Sequence, residues 1–86
     1  MLTEVFKALA DPHRRTILTL LRKGDLNVSQ IAEHLPVTGA TLSHHLDTLK
    51  RADLVLAERR GQFVYYSLNT SVFEEVLKAF RSYFSR

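Results

Sequence analysis

Residues Val28–Tyr66, VSQIAEHLPVTGATLSHHLDTLKRADLVLAERRGQFVYY, decide the fold: two helical patterns and a hairpin pattern follow one another almost without linker. Val28–Leu35 has the spacing of a helix, Pro36–Gly39 reads as a turn, and Ala40–Arg51 reads as a second helix. Leu54–Arg60 and Gln62–Leu68, rich in aromatic and aliphatic residues and separated by Gly61, read as two antiparallel strands. Asn27 can cap the first of these helices, and Gln30 three residues later completes a capping box. Its core face is Ile31, Ala32 and Leu35. At about 100° per residue, Leu42, Leu46 and Leu49 of the second helix fall within roughly 60°, which must be the buried side.

Toward the N-terminus, Leu2, Val5, Phe6 and Leu9 recur at helical spacing. Asp11 then suits an N-cap, with Pro12 at the first helical position, where its missing N–H costs nothing. That helix is predicted to run to about Lys23, with Ile17, Leu18, Leu20 and Leu21 inward and Gly24 ending it. Arg14 and Arg15 lie near its start, where they do not help the helix dipole. After the hairpin, a last helix is predicted over about Val72–Phe84, with Ser71 and Glu74 as a capping box. The fold class is therefore mainly α with a β-hairpin, in the order α-α-α-α-β-β-α. That is a winged helix-turn-helix, a single domain over residues 1–86.

Size and composition narrow what such a domain needs. A chain of 86 residues, 45% of them hydrophobic, has room for one core. It buries only roughly 60–65% of its unfolded surface, so further stabilisation is expected. With no cysteines, neither disulfides nor thiolate metal sites can supply it, which fits a reducing, cytoplasmic location. No signal-peptide pattern opens the chain, and no apolar run approaches the roughly 20 residues a membrane helix needs, so no membrane insertion is expected. Self-association remains. Val72, Phe73, Val76, Leu77, Phe80, Tyr83 and Phe84 form a stripe too wide for a lone surface helix, and with Leu2, Val5, Phe6 and Leu9 they are the predicted interface of a homodimer. Such a dimer would set two identical helices roughly 34 Å apart, the spacing of successive major grooves.

The formal charge of +3 favours an anionic partner only slightly, because bases outnumber acids by one in each of residues 1–36, 37–68 and 69–86. Position says more. Opposite the leucine arc of the Ala40–Arg51 helix lie Ala40, Thr41, His44, Asp47, Thr48 and Arg51, with Ser43 and His45 on the flanks. A merely solvated face usually carries Glu, Lys and Gln, which favour helix; hydroxyls and imidazoles sacrifice propensity but reach base edges and phosphates at close range. Arg59 and Arg60 sit at the hairpin tip, with Glu58 the only obvious acid nearby. There they can reach phosphates or the adjacent minor groove. The predicted DNA-contact set is Thr38, Thr41, Ser43, His44, His45, Thr48, Arg51, Arg59, Arg60 and Gln62. If His44 or His45 faces DNA, falling pH would charge it and strengthen phosphate attraction; the competing expectation is that His45 packs inward and stays neutral.

An enzyme is excluded: there is no Gly-rich phosphate loop and no Ser-x-Gly elbow, and Ser43–His45 lie on one helix with no orienting acid. No cofactor is expected. The rival to DNA binding is a winged helix used for protein–protein interaction.

The segments ALADPHRRTIL (8–18), TGATLSHHLDTLKRADLV (38–55) and RRGQFVYYSL (59–68) resemble the ArsR/SmtB family of bacterial winged-helix repressors, and the resemblance spans about residues 5–84. It implies a homodimeric repressor on a double-stranded DNA operator with two-fold symmetry, reading bases through Thr41, Ser43, His44 and His45 and touching DNA with a wing tip of Arg59, Arg60 and Gln62. Many members sense metal, and here the chain departs from them. Where thiolate sensors carry Cys-x-Cys, this chain has Asn27 and Ser29 or their neighbours; its last helix has Glu74 and Glu75 but no His. His44 and His45 diverge by about 100° on their helix, which disfavours shared chelation. No metal site is therefore expected at the family positions. The pattern is most similar to the cysteine-free, SdpR-like subgroup of sporulation-delay autorepressors. That similarity implies release by a sequestering protein or other partner, which no residue identifies.

Overall fold

The computed structural model describes residues 2–85. Helix α1 (Leu2–Leu9) is followed by α2 (Pro12–Leu21), a short strand β1 (Leu26–Asn27), α3 (Val28–Ala32) and α4 (Gly39–Arg51). Strands β2 (Val55–Arg60) and β3 (Phe63–Leu68) form the wing, and α5 (Thr70–Phe84) completes the chain. This is a winged helix-turn-helix, as the hydrophobic spacing predicted.

Local chemistry accounts for most of the boundaries. Asp11 caps α2 by accepting from the N–H groups of His13 at 2.8 Å and Arg14 at 3.2 Å, with Pro12 leading the helix. The predicted Asn27–Gln30 capping box is present in both directions, at 2.9 and 2.8 Å. Two helices end early. The α2 helix stops at Leu21, where Lys23 and Gly24 donate to Leu20 and Leu21 in tighter i→i−3 turns. Similarly, α3 stops at Ala32 rather than Leu35. His34 and Leu35 bond three residues back, and Pro36 disfavours helical geometry in the residue before it. Leu35 is buried nonetheless.

The C-terminus of α4 is closed by a Schellman motif. Leu54 N–H donates to Leu49 O at 3.1 Å and Asp53 N–H to Lys50 O at 3.0 Å, while Asp53 takes a φ of +59°. Leu54 and Leu49, which the motif brings together, are both fully buried. The predicted Ser71–Glu74 capping box does not form. Asn69 is the N-cap of α5, without a side-chain bond, and its own N–H is held by Leu54 O at 3.0 Å. That tie to the start of the wing begins the helix at Thr70 and puts Ser71 inside the first turn.

The sheet has three strands rather than two, in the order β1-β3-β2, all antiparallel. Leu26 and Asn27 pair with Tyr66 and Tyr65, so the wing's inner strand is joined to the residues that lead into α3. Gly61 and Gln62 make the hairpin turn, with Gly61 at φ +65°, a backbone that glycine adopts without penalty. The core gathers Val5 and Ala8 of α1, Ile17, Leu18 and Leu21 of α2, and Ile31 of α3. Leu35 between α3 and α4, Leu42, Leu46 and Leu49 of α4, then Ala52, Leu54, Val55 and Val76, complete it. Each fully buried leucine contributes about 2 kcal/mol of transfer free energy. The predicted leucine arc of α4 is its buried side.

Candidate nucleic-acid interface

The outer face of α4 is built from its first turn. Thr38 is the N-cap: its hydroxyl accepts from Thr41 N–H at 3.2 Å and donates to the Thr41 hydroxyl at 3.0 Å. The Thr41 hydroxyl therefore keeps its own proton to offer outward. No acidic residue lies in this turn, while Lys50 and Arg51 close the last one. The positive end of the helix dipole is left uncompensated, which suits an approaching anion. Thr38, Thr41, Ser43, His44 and Arg51 are exposed, and Thr48 is half-buried at the edge of the face. Arg51 is engaged by Asp47 one turn earlier, with Nε 3.1 Å from the carboxylate and Nη2 bonded to the same oxygen. The one acid on this face is thereby neutralised from within the helix.

His45 differs from the rest of the predicted set. Only 6% of it is exposed, and its ring turns into the protein toward Arg14 and Asp11. The spacing placed it on a flank, and the structure assigns that flank to the core side. It is not available to DNA in this conformation.

The wing separates its two arginines. In the antiparallel register Arg59 opposes Val64 and shares a face with Ala57 and the buried Val55; Arg60 opposes Phe63 and shares the other face with Glu58 and Leu56. Arg60 is not the free tip cation that the sequence suggested. Its guanidinium bonds Glu58 at 2.8 Å and Asp25 at 2.7 Å and lies 4.8 Å over the Tyr65 ring. Those two carboxylates raise its pKa above its already high ordinary value. Arg59 is exposed and has no ion-pair partner among the described residues, and Gln62 is exposed beside Gly61. Asp25 was not singled out from sequence. It lies 35 residues from Arg60, and no local spacing could connect them.

The residues predicted for a dimer surface also divide. Val5 and Val76 lie in the chain's own core, and Leu2, Leu9, Val72 and Phe73 are half-buried against it. Phe6, Leu77, Phe80, Tyr83 and Phe84 face outward, Leu77 being 61% and Phe84 81% exposed. Phe6 and Phe80 meet edge-to-face at 5.5 Å, joining α1 to α5. Among the described residues no three His, Cys, Asp or Glu side chains converge to hold a metal ion, and Asn27 has its side chain engaged in the α3 cap.

Residues 11–56 match the sequence profile described as "Bacterial regulatory protein, arsR family". The chain is 49% identical over 74 residues to the transcriptional repressor SdpR of Bacillus subtilis (strain 168), covering 86% of this chain and 82% of that protein. It is 32% identical over 77 residues to the arsenical resistance operon repressor of Staphylococcus aureus, covering 90% and 74% respectively. Among solved structures, the ArsR-like transcriptional regulator from Rhodococcus sp. RHA1 superposes with a TM-score of 0.88 at 30% identity, covering 94% of this chain and 74% of that one.

Proposed function

Because this chain belongs to the arsR family of bacterial regulatory proteins, we propose that it works as a homodimer that grips an operator of two-fold symmetry through α4 and the wing. It is a transcriptional repressor of the ArsR/SmtB type with a DNA-binding helix-turn-helix, not an enzyme. In the proposed complex, Thr41, Ser43 and His44 read base edges. Thr38, Thr48, Arg51 and the dipole of α4 hold phosphates, and Arg59 and Gln62 reach the flanking backbone or minor groove. Arg60 fixes the wing instead of touching DNA. The observation that carries this assignment is an exposed, acid-free first turn of α4 in a chain whose wing tip presents one unpaired arginine.

The outward row of Phe6, Leu77, Phe80, Tyr83 and Phe84 supports the dimer, since water-exposed aromatic and aliphatic groups in such a row favour burial against a second copy. Release of DNA by metal at the family's usual positions is not part of the proposal. Asn27 and Ser29 are poor metal ligands, and α5 carries no His. Among the described residues no helix is long and apolar enough to cross a membrane, and a cytoplasmic place is proposed.

The test is the salt dependence of binding to DNA upstream of the protein's own gene, against random duplex of equal length. Two chains per site and a specificity ratio above about 10³ are expected. No binding to either duplex would overturn the proposal and favour a winged helix used for protein contact.

A further inference from the structure

His45 is the one α4 residue of the predicted DNA-contact set that the proposed contacts leave unused, and it has a partner of its own. Arg14 of α2 brings Nη1 within 3.2 Å of His45 Nδ1. On the other side of the ring, Asp11 Oδ1 lies 3.9 Å from Nε2. The rings of His13 and His44 stand off at 6.0 and 6.1 Å. A guanidinium has no lone pair to give, so the short contact requires one from Nδ1. The ring is therefore neutral, with its proton on Nε2 toward Asp11. The remaining arms of Arg14 are directed at α1: Nε donates to Ala8 O at 2.8 Å and Nη2 to Lys7 O at 2.9 Å. These are carbonyls of the last turn of α1, and that of Lys7 also accepts from Ala10 N–H at 3.3 Å. One guanidinium thus ties the end of α1 to the buried side of α4.

We infer that Arg14 and His45 are a positioning pair that seats the DNA-reading helix against the end of α1, and that this seating holds only while the His45 ring is neutral. The role rests on the DNA-binding function proposed above. Protonating the ring removes the lone pair that accepts from Arg14 and sets two cations 3.2 Å apart. Asp11, at 3.9 Å, offsets that only in part. Burial pushes the His45 pKa below 6.5. Asp11 opposes the shift, while Arg14, His13 and His44 add to it. Between that lowered value and 6.5 the unfolded chain binds more protons than the folded one. Stability contributed by His45 is therefore complete above the unfolded value and is lost as pH falls through the folded one. His44 lies on the exposed side of the same helix, outside this contact.

The test measures operator and random-duplex affinities of the full chain between about pH 5 and pH 8, in wild type, His44→Gln, His45→Asn and His45→Leu. Asparagine keeps an acceptor near the Nδ1 position but does not titrate. Expected for wild type is a fall in the operator-to-random ratio of up to tenfold per chain, a hundredfold per dimer, for each unit of lowered His45 pKa traversed. His44→Gln retains that fall. His45→Asn keeps near-wild-type discrimination at neutral pH and loses the fall, whereas His45→Leu discriminates poorly throughout. A His45→Asn variant with the wild-type pH profile would overturn the pair's role, as would a wild-type ratio that is high and flat. Should the Asn variant not fold, nitrogen chemical shifts of the wild-type ring decide the point without DNA. A proton on Nε2 and a titration midpoint below 6.5 are expected, and a proton on Nδ1 refutes the pair. No discrimination by wild type at any pH would instead refute the DNA function, with the Nε2–H ring still observed.

Discussion

Arg59→Ala isolates the unpaired tip cation. Each phosphate neutralised on duplex DNA contributes about 0.9 to the slope of log K against log salt. A two-fold dimer presents two copies of Arg59, so losing both should flatten the slope by about 1.8. Raising salt from about 50 to 200 mM spans roughly 0.6 log units, so wild type should lose about tenfold more affinity than the variant over that range. Fluorescence anisotropy titrations at four salt concentrations, on operator and random duplex alike, measure both slopes. The change should be the same on the two duplexes, because a phosphate contact carries no sequence. Arg60→Ala is the control. Its charge is already held by Glu58 and Asp25, so it should flatten the slope less while lowering the melting temperature. A wild-type slope for Arg59→Ala, or a larger change for Arg60→Ala, would refute the division of labour between the two arginines.

Leu46→Ala, which opens the α4 core where Leu46 is only 2% exposed, should cost about 2–5 kcal/mol in urea unfolding at fixed protein concentration. Asp53→Gly relieves a left-handed backbone at the Schellman position and should stabilise by about 0.5–1 kcal/mol, with no change in operator affinity; a loss of stability would contradict that account of the motif. Leu77→Glu with Phe80→Glu should give a folded monomer by sedimentation and abolish tight operator binding, whereas a persisting dimer would place the interface elsewhere. At Asp11, partial desolvation raises the carboxyl pKa. The N–H bonds from Arg14 and His13, with His45 and Arg14 nearby, outweigh this and hold it below 3.8. Its stabilisation is complete above the unfolded value and is lost as pH falls through the folded one. Melting temperatures of wild type and Asp11→Asn, which keeps the cap but not the charge, should therefore converge in acid.

Features that depend on neighbours within a few residues were legible in the chain itself. Leu42, Leu46 and Leu49 announced the buried side of α4, and Asn27 with Gln30 announced the start of α3. Features that depend on the meeting of distant segments were not. Two residues of β1 are too few to show a strand period, and they pair only because Tyr65 and Tyr66 arrive beside them. Ser71 and Glu74 have the spacing of a cap, yet the bond from Asn69 N–H to Leu54 O begins the helix earlier. Arg14 reads as an ill-placed charge at the head of α2 until its guanidinium is seen to bond the end of α1. His45 illustrates the limit of a helical wheel: at the margin of the leucine arc, the angle alone does not tell a solvated ring from an enclosed one. The exposed polar face of α4 stood out in the chain because its residue types run against helix propensity.

The pairing register of the wing has a consequence for how such a protein can diversify. Only Tyr65 and Tyr66 of β3 are held on both sides; beyond them, from Arg59 to Val64, the hairpin is a two-stranded finger anchored at its base. Its length can change without disturbing the core. One residue added to each strand would lengthen the finger by about 3.3 Å, but it would also exchange the two faces beyond the insertion. The arginine held against Asp25 would be turned away from it, and its neighbour would take that side. Two residues added to each strand would restore the parity. Growth of the finger that preserves its two faces is thus quantised in steps of about 6.6 Å, and a step inserted below Glu58 carries Arg60 and Glu58 together out of reach of Asp25.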